Sequence, residues 1–237
     1  MKTAETTAVL VHGAWADGSS WAKVITGLRA KGIRAVTAPL PLTTFEDDVK
    51  ALNRSVARLG GPVVLVGHAY AGGVIGAANP AEVKGMVYVA ALAPDEGETV
   101  ADVFYRSEPH PKAPKLAPDQ DGLIWLPEEA FGTAFAQNGS AEDVSVLAAV
   151  QRPISPACIT VKVGKPLWKT VPTTYLVAQE DRMIVQKTQE FMAERMRATI
   201  ARYAVDHTPS VTAPGVVVET VFRAIQKESI SKEVKTK

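Results

Sequence analysis

The chain of 237 residues predicts an α/β fold: a mostly parallel, six-stranded sheet with helices on both faces. Three observations carry this. Short apolar runs of strand length alternate with segments of helical periodicity, the pattern of a parallel sheet buried on both sides. The turns that hold Gly, His and Asp all follow those runs, where open α/β sheets bind ligands. A hydrophobic fraction of 46% with 22% charged residues suits one globular domain, residues 1–237, with a core that needs no staples.

The elements follow in order. Ala8 to Val11 is a short strand. Ser19 or Ser20 can cap a helix whose apolar Trp21, Val24, Ile25 and Leu28 share one face, and Gly32 suits its stop. Ile33 to Ala38 reads as the second strand. Thr43 with Glu46 three residues on predicts a capping box, and the helix behind it places Val49, Leu52, Val56 and Leu59 on one face. Val63 to Val66 is the third strand and Gly85 to Ala91 the fourth. Five prolines then fall between Pro94 and Pro118, and no strand pattern returns before Thr173. The stretch from about 93 to 170 is too long for a plain loop; its helical pieces, Val100 to Arg106, Pro127 to Gln137 and Ala141 to Gln151, predict an inserted helical lid. Strands from Thr173 to Ala178 and Thr199 to Val205 flank a helix from about Val185 to Arg197. A last helix opens at Pro214, buries Val217, Val221 and Ile225, and frays from Lys227.

Charge and composition exclude several classes. A net charge of +1 gives no field for nucleic acid or an anionic membrane. The single cysteine, Cys158, excludes an internal disulfide framework. Residues Met1 to Thr7 are polar, with no apolar leader, and no later stretch reaches membrane-spanning length; the cytoplasm is the default location. No metal or cofactor motif is found. The oligomeric state stays open, a homodimer among the options.

The chemistry centres on Gly67-His68-Ala69-Tyr70-Ala71-Gly72-Gly73, after the third strand. A strand, a turn of very small residues and a helix form a nucleophile elbow, whose flanks must be small because the central residue stands on a sharp, strained turn. That central residue is Ala69, where the motif has Ser. No G-x-G-x-x-G or G-K-[ST] is present to make it a phosphate loop. His207, after the last strand, is the best-placed base of the four histidines. Asp181, at a strand end, is the preferred carboxylate; Asp95 is the serious alternative, Glu180 a local competitor, and Asp206 is discounted. The N–H groups of Ala14 and Tyr70 are the expected oxyanion donors. His12 can tie its loop by a ring hydrogen bond, and His68 packs beside the elbow. Trp15, Trp125, Phe131 and Trp168 are candidates for an apolar substrate pocket, or simply core filling.

Four motifs in this order, His12-Gly13-Ala14-Trp15, Gly67 to Gly73, Gln179 to Ile184 and Asp206-His207, resemble the α/β-hydrolase superfamily. From Ala8 to about Gln226 the chain is similar to small bacterial esterases related to plant methylesterases and hydroxynitrile lyases. The resemblance implies a cofactor-free Ser-His-Asp carboxylic ester hydrolase acting on a small-molecule ester, with Asp181 and His207 as acid and base. The lyase branch carries Thr near Gly13 and a Lys near the catalytic His; this chain lacks both, which favours the esterase branch. Ala69 closes the covalent route. Because every other part remains, a single replacement of Ser, giving an inactive form able to bind substrate, is favoured over a natural non-catalytic binder. A hydroxynitrile-lyase-like or other base-catalysed enzyme is the third reading.

Overall fold

The structure, a computed structural model, describes residues 6–235; the expectation for the polar start falls largely outside them. Six strands form the sheet: β1 (Thr7–Val11), β2 (Ala35–Ala38), β3 (Val63–His68), β4 (Val83–Val89), β5 (Thr173–Ala178) and β6 (Thr199–Tyr203). All neighbouring pairs are parallel, in the order β2-β1-β3-β4-β5-β6. The helices are α1 (Ala22–Ala30), α2 (Phe45–Ala57), α3 (Ala71–Gly76), α4 (Val100–Phe104), α5 (Glu128–Ala130), α6 (Ala141–Ala149), α7 (Gln186–Arg195), α8 (Pro209–Thr212) and α9 (Pro214–Lys235). The expected fold class is therefore the observed one.

Strand alternation divides the core in two. Ala8, Leu10, Val64, Val66, Val87, Val89, Leu176 and Ala178 point to the face covered by α1 and α9. Val9, Val11, Leu65, Met86, Tyr88, Tyr175 and Val177 point to the other, where α2, α3, α7 and the segment between β4 and β5 pack. Phe131, Phe135, Leu147, Cys158 and Trp168 of that segment are buried in this same second cluster, so the segment shares the core of the sheet.

Several boundaries differ from expectation for local reasons. The first helix is entered through a 3-10 turn at Gly18–Trp21 whose cap is Asp17, accepting from Ser19 N. The α2 cap is Thr44, one residue later than expected, because Asp47 N–H reaches its hydroxyl at 3.1 Å; this register turns Phe45, Asp48, Leu52 and Val56 inward, leaving Val49 and Leu59 half-buried. β2 starts at Ala35 because Ile33 N–H still closes the helix turn on Leu28 O. β4 stops at Val89 because Ala90 takes a left-handed φ of 44° and redirects the chain. Residues Pro127 to Gln137 form α5 followed by a π-helical turn at Phe131–Phe135. α9 continues through Lys235 instead of fraying from Lys227, since no Gly or Pro after Gly215 interrupts it.

Strand order positions the site. From β1 the chain moves outward to β2, then crosses back over β1 to β3. The loops leaving β1 and β3 thus diverge to opposite faces and open a crevice beyond their C-terminal ends. Those loops carry His12 to Trp15 and the Ala69 turn.

Candidate active site

The turn after β3 has the geometry that its small residues predict. Ala69 has φ 49°, a left-handed conformation costly for a residue with a Cβ. Its carbonyl accepts from Gly72 N at 3.1 Å and from Leu92 N at 2.9 Å, which pins the turn from both sides. The flanks have no room for side chains. A Cβ at Gly67 would lie 3.0 Å from Ala71 O, and one at Gly72 would lie 2.3 Å from Leu92 O. A Cβ at Gly13 would sit 3.0 Å from both the Ala69 methyl and His68 O, so the β1 loop lies directly against the elbow.

His207 Nδ1 is 2.8 Å from Asp181 Oδ2, both groups buried. Asp181 is fully engaged: Oδ1 accepts from Met183 N at 2.7 Å and Ile184 N at 2.8 Å, and Oδ2 also accepts from Gln189 Nε2 at 2.8 Å. An Nδ1–H that donates to a carboxylate leaves Nε2 as the acceptor edge of a neutral imidazole. His207 also lines a cavity whose wall includes Ala14, Ala69, Tyr70, Leu92, Met183 and Ile184. Asp95 is elsewhere, paired with Lys169 at 2.5 Å. Glu180 holds Asn138, and Asp206 accepts from Asn138 N, Thr208 N and Thr212 Oγ1, tying down the loop that carries His207.

The N–H groups of Ala14 and Tyr70 have no acceptor among the described residues, and both residues line the cavity beside Ala69. They can receive an oxygen that develops negative charge there. His12 fastens the first loop: its Nε2 accepts from Leu40 N at 3.0 Å while Nδ1 meets Gly13 O at 2.9 Å, and burial lowers its pKa. His68 fastens the base, its Nε2–H donating to the His207 carbonyl at 2.7 Å. Burial pushes the His68 imidazole down to about 3, so it stays neutral next to His207.

The expected aromatic pocket needs correction. Trp15 does line the cavity, held by its indole N–H on Ile124 O at 2.9 Å. Trp125 does not; it is 45% exposed, with its indole N–H on Asp119, because Ile124 and Leu126 take the inward positions flanking it. Phe131 is one layer too deep. It packs edge-on against Phe135, and Phe135 is the ring that meets His207 at 5.2 Å. Trp168 lines a separate cavity behind Gly72 and Gly76. In their place Phe104, Leu116, Ile154 and Ile159 complete the wall. The cavity holds about 60 Å³ and is almost wholly apolar.

Three supporting residues escaped the sequence reading. Gln189 spans Asp181, Ile184 O and Ala178 N. Asp48 is fully buried and accepts from Tyr70 Oη at 2.6 Å and Leu42 N at 2.7 Å. Phe135 packs between His68, His207 and Trp15. The polar pair sit on helices where they read as surface positions, and Phe135 reads as ordinary core; no local signal marks them.

A strained elbow, a His–Asp pair and two unpaired N–H groups at the C-terminal edge of a parallel sheet define the class: an α/β-hydrolase-type site. The chain belongs to the Alpha/beta hydrolase family, whose model matches residues 8–220. It is 23% identical over 214 residues to the α/β hydrolase nvfD of Aspergillus novofumigatus, covering 82% of this chain and 84% of that protein. A solved variant of polyneuridine aldehyde esterase superposes with a TM-score of 0.79 at 20% identity, over 92% of this chain and 98% of that one. An extracellular α/β-hydrolase from a Paenibacillus species gives 0.77 at 22% identity, with the same coverage. At these identities the solved structures speak for the fold.

Proposed function

We propose that this chain is a carboxylic-ester-binding α/β hydrolase whose acyl-enzyme route is closed at Ala69. The carrying observation is the Asp181–His207 pair at 2.8 Å, which shares a cavity with Ala69 and the unpaired N–H groups of Ala14 and Tyr70. Every part of a Ser-His-Asp centre has a counterpart except the hydroxyl. The substrate carbonyl carbon lies over Ala69, its oxygen faces the two N–H groups, and its apolar body lies under the inserted 93–170 segment, which acts as the lid. The resemblance to an esterase fold agrees with this reading.

A methyl group cannot attack a carbonyl, so this chain binds its ester without forming an acyl-enzyme. Restoring the hydroxyl by Ala69→Ser raises hydrolysis of short aryl esters by orders of magnitude while affinity changes little, since the hydroxyl acts mainly in the transition state. Adding His207→Ala abolishes the gain, because members of a triad fail together. A revertant that stays inactive on short and long acyl esters and on lactones removes the esterase reading and leaves a binding protein.

A further inference from the structure

Replacing a serine by Ala69 removes a nucleophile, and it also changes what the base faces. In a Ser-His-Asp centre the Nε2 lone pair is occupied by the hydroxyl that it activates. Here Nδ1 is held by Asp181, Nε2 has no partner among the described residues, and a buried methyl stands beneath the substrate position. The lone pair is therefore directed at whatever fills the cavity.

No other side chain on the wall competes for that proton. The Tyr70 hydroxyl is engaged by Asp48 at 2.6 Å, and Tyr105 is 64% exposed at the rim. His68 is turned to the His207 carbonyl. The remaining wall is apolar, which strengthens any hydrogen bond to an oxyanion.

We propose that the site as it stands is a proton-transfer centre for apolar ketones, with His207 removing a proton from the carbon next to a carbonyl held by the Ala14 and Tyr70 N–H groups. The inference rests on the carbonyl-binding reading above but not on ester cleavage. The step balances within the site. The C–H bond breaks, its proton forms an N–H bond at His207 Nε2, and the electron pair moves through the new C=C bond onto oxygen. The resulting enolate oxygen accepts from the two backbone N–H groups, while Asp181 stabilises the imidazolium. The Nε2 proton exchanges with solvent through the adjoining outer groove, and its return to carbon regenerates the ketone carrying a solvent hydrogen, so no oxidant, reductant or second substrate is required. With no nucleophile present, the carbonyl carbon is not diverted into a covalent adduct.

Ketone size follows from the walls. Phe104, Tyr105, Leu116 and Met183 line both the inner cavity and a larger outer groove beside the Pro-rich stretch that contains His110. One small substituent fits inside, and a bulkier apolar substituent passes out between these four residues.

Phenylacetone is a suitable probe, being apolar and carrying an activated CH₂ beside its carbonyl. In D₂O buffer, the full-length protein is expected to accelerate deuterium uptake at that CH₂, read by NMR. His207→Ala should lower the protein-dependent rate roughly a hundredfold or more, the usual range for a general base. Asp181→Asn serves as the second variant if His207→Ala does not fold, and should also lower the rate strongly. Ala69→Ser should slow exchange several-fold, because the restored hydroxyl engages Nε2. Exchange that is absent from the Ala69 protein, or undiminished in the folded His207→Ala or Asp181→Asn variant, overturns the proposal. If exchange is absent while the Ala69→Ser protein hydrolyses esters, this inference fails and the ester-binding reading stands. If both are absent, both fail.

Discussion

Tyr70, whose backbone N–H is a proposed oxyanion donor, is held by its side chain. Its hydroxyl, Asp48 and Leu42 N form one buried chain of hydrogen bonds beside the cavity that Tyr70 lines. Burial raises the pKa of Asp48 and pushes the adjacent Cys158 thiol up to about 12, so the cluster is a structural brace and Cys158 an inert thiol. In the Ala69→Ser background, Asp48→Asn should lower kcat roughly tenfold with KM nearly unchanged, less than the hundredfold or more that follows outright loss of an oxyanion donor. An unchanged kcat would remove Asp48 from the positioning of Tyr70. The corrected pocket gives a second expectation. Trp15→Ala should weaken ligand binding at least tenfold, whereas Trp125→Ala, a surface change, should alter it by less than about 0.5 kcal/mol; calorimetric titration separates the two. At this scale the pairing of Asp181 with His207 was legible, because both residues lie in loops just after strands. Asp48 and Gln189 were not, since their partners come from distant segments.

Among the elements, the elbow is the most strictly determined by sequence. Its glycines are required by contact with backbone: a Cβ on Gly72 would meet Leu92 O at 2.3 Å, and neither side can yield without breaking the Leu92 N to Ala69 O bond. Gly72→Ala should therefore destabilise by about 3 kcal/mol or more, at or beyond the usual range for overpacking. Gly164→Ala, with open space around its Cβ, should be near neutral. Denaturant unfolding of the two variants tests this contrast. Continuous apolar runs made β1, β3 and β5 legible to within two residues. The inserted segment was readable only as a set of helical pieces. The inward side of Phe131 and Phe135 depends on a π-helical turn that no periodicity announces, and Trp125 faces outward because Ile124 and Leu126 on either side of it are buried.

The whole molecule concentrates its chemistry where β1 and β3 part, and it uses neutral buried histidines to hold that crevice together. An unfolded imidazole protonates near pH 6.5, but His68 in the fold does so only near 3. Between those values the unfolded chain binds more protons. The stability contributed by His68 is thus complete above pH 6.5 and declines as pH falls towards 3; His12 acts in the same direction. His68→Gln, which retains an N–H donor for the His207 carbonyl, should flatten the acid limb of a stability–pH curve measured by denaturant unfolding. An unchanged slope would locate the acid sensitivity elsewhere. Topology of this kind was readable from the alternation of elements, whereas the histidine packing was not, because it joins three loops far apart in sequence. On the proposed reading, Ala14, Tyr70 and His207 form a carbonyl site around Ala69, and a crystal structure with a bound apolar ester or ketone decides whether they do. The expected result places the carbonyl oxygen about 2.7–3.1 Å from both N–H nitrogens, with the carbonyl carbon over the Ala69 methyl. A ligand whose carbonyl points away from both donors, or which lies only in the outer groove, would contradict it.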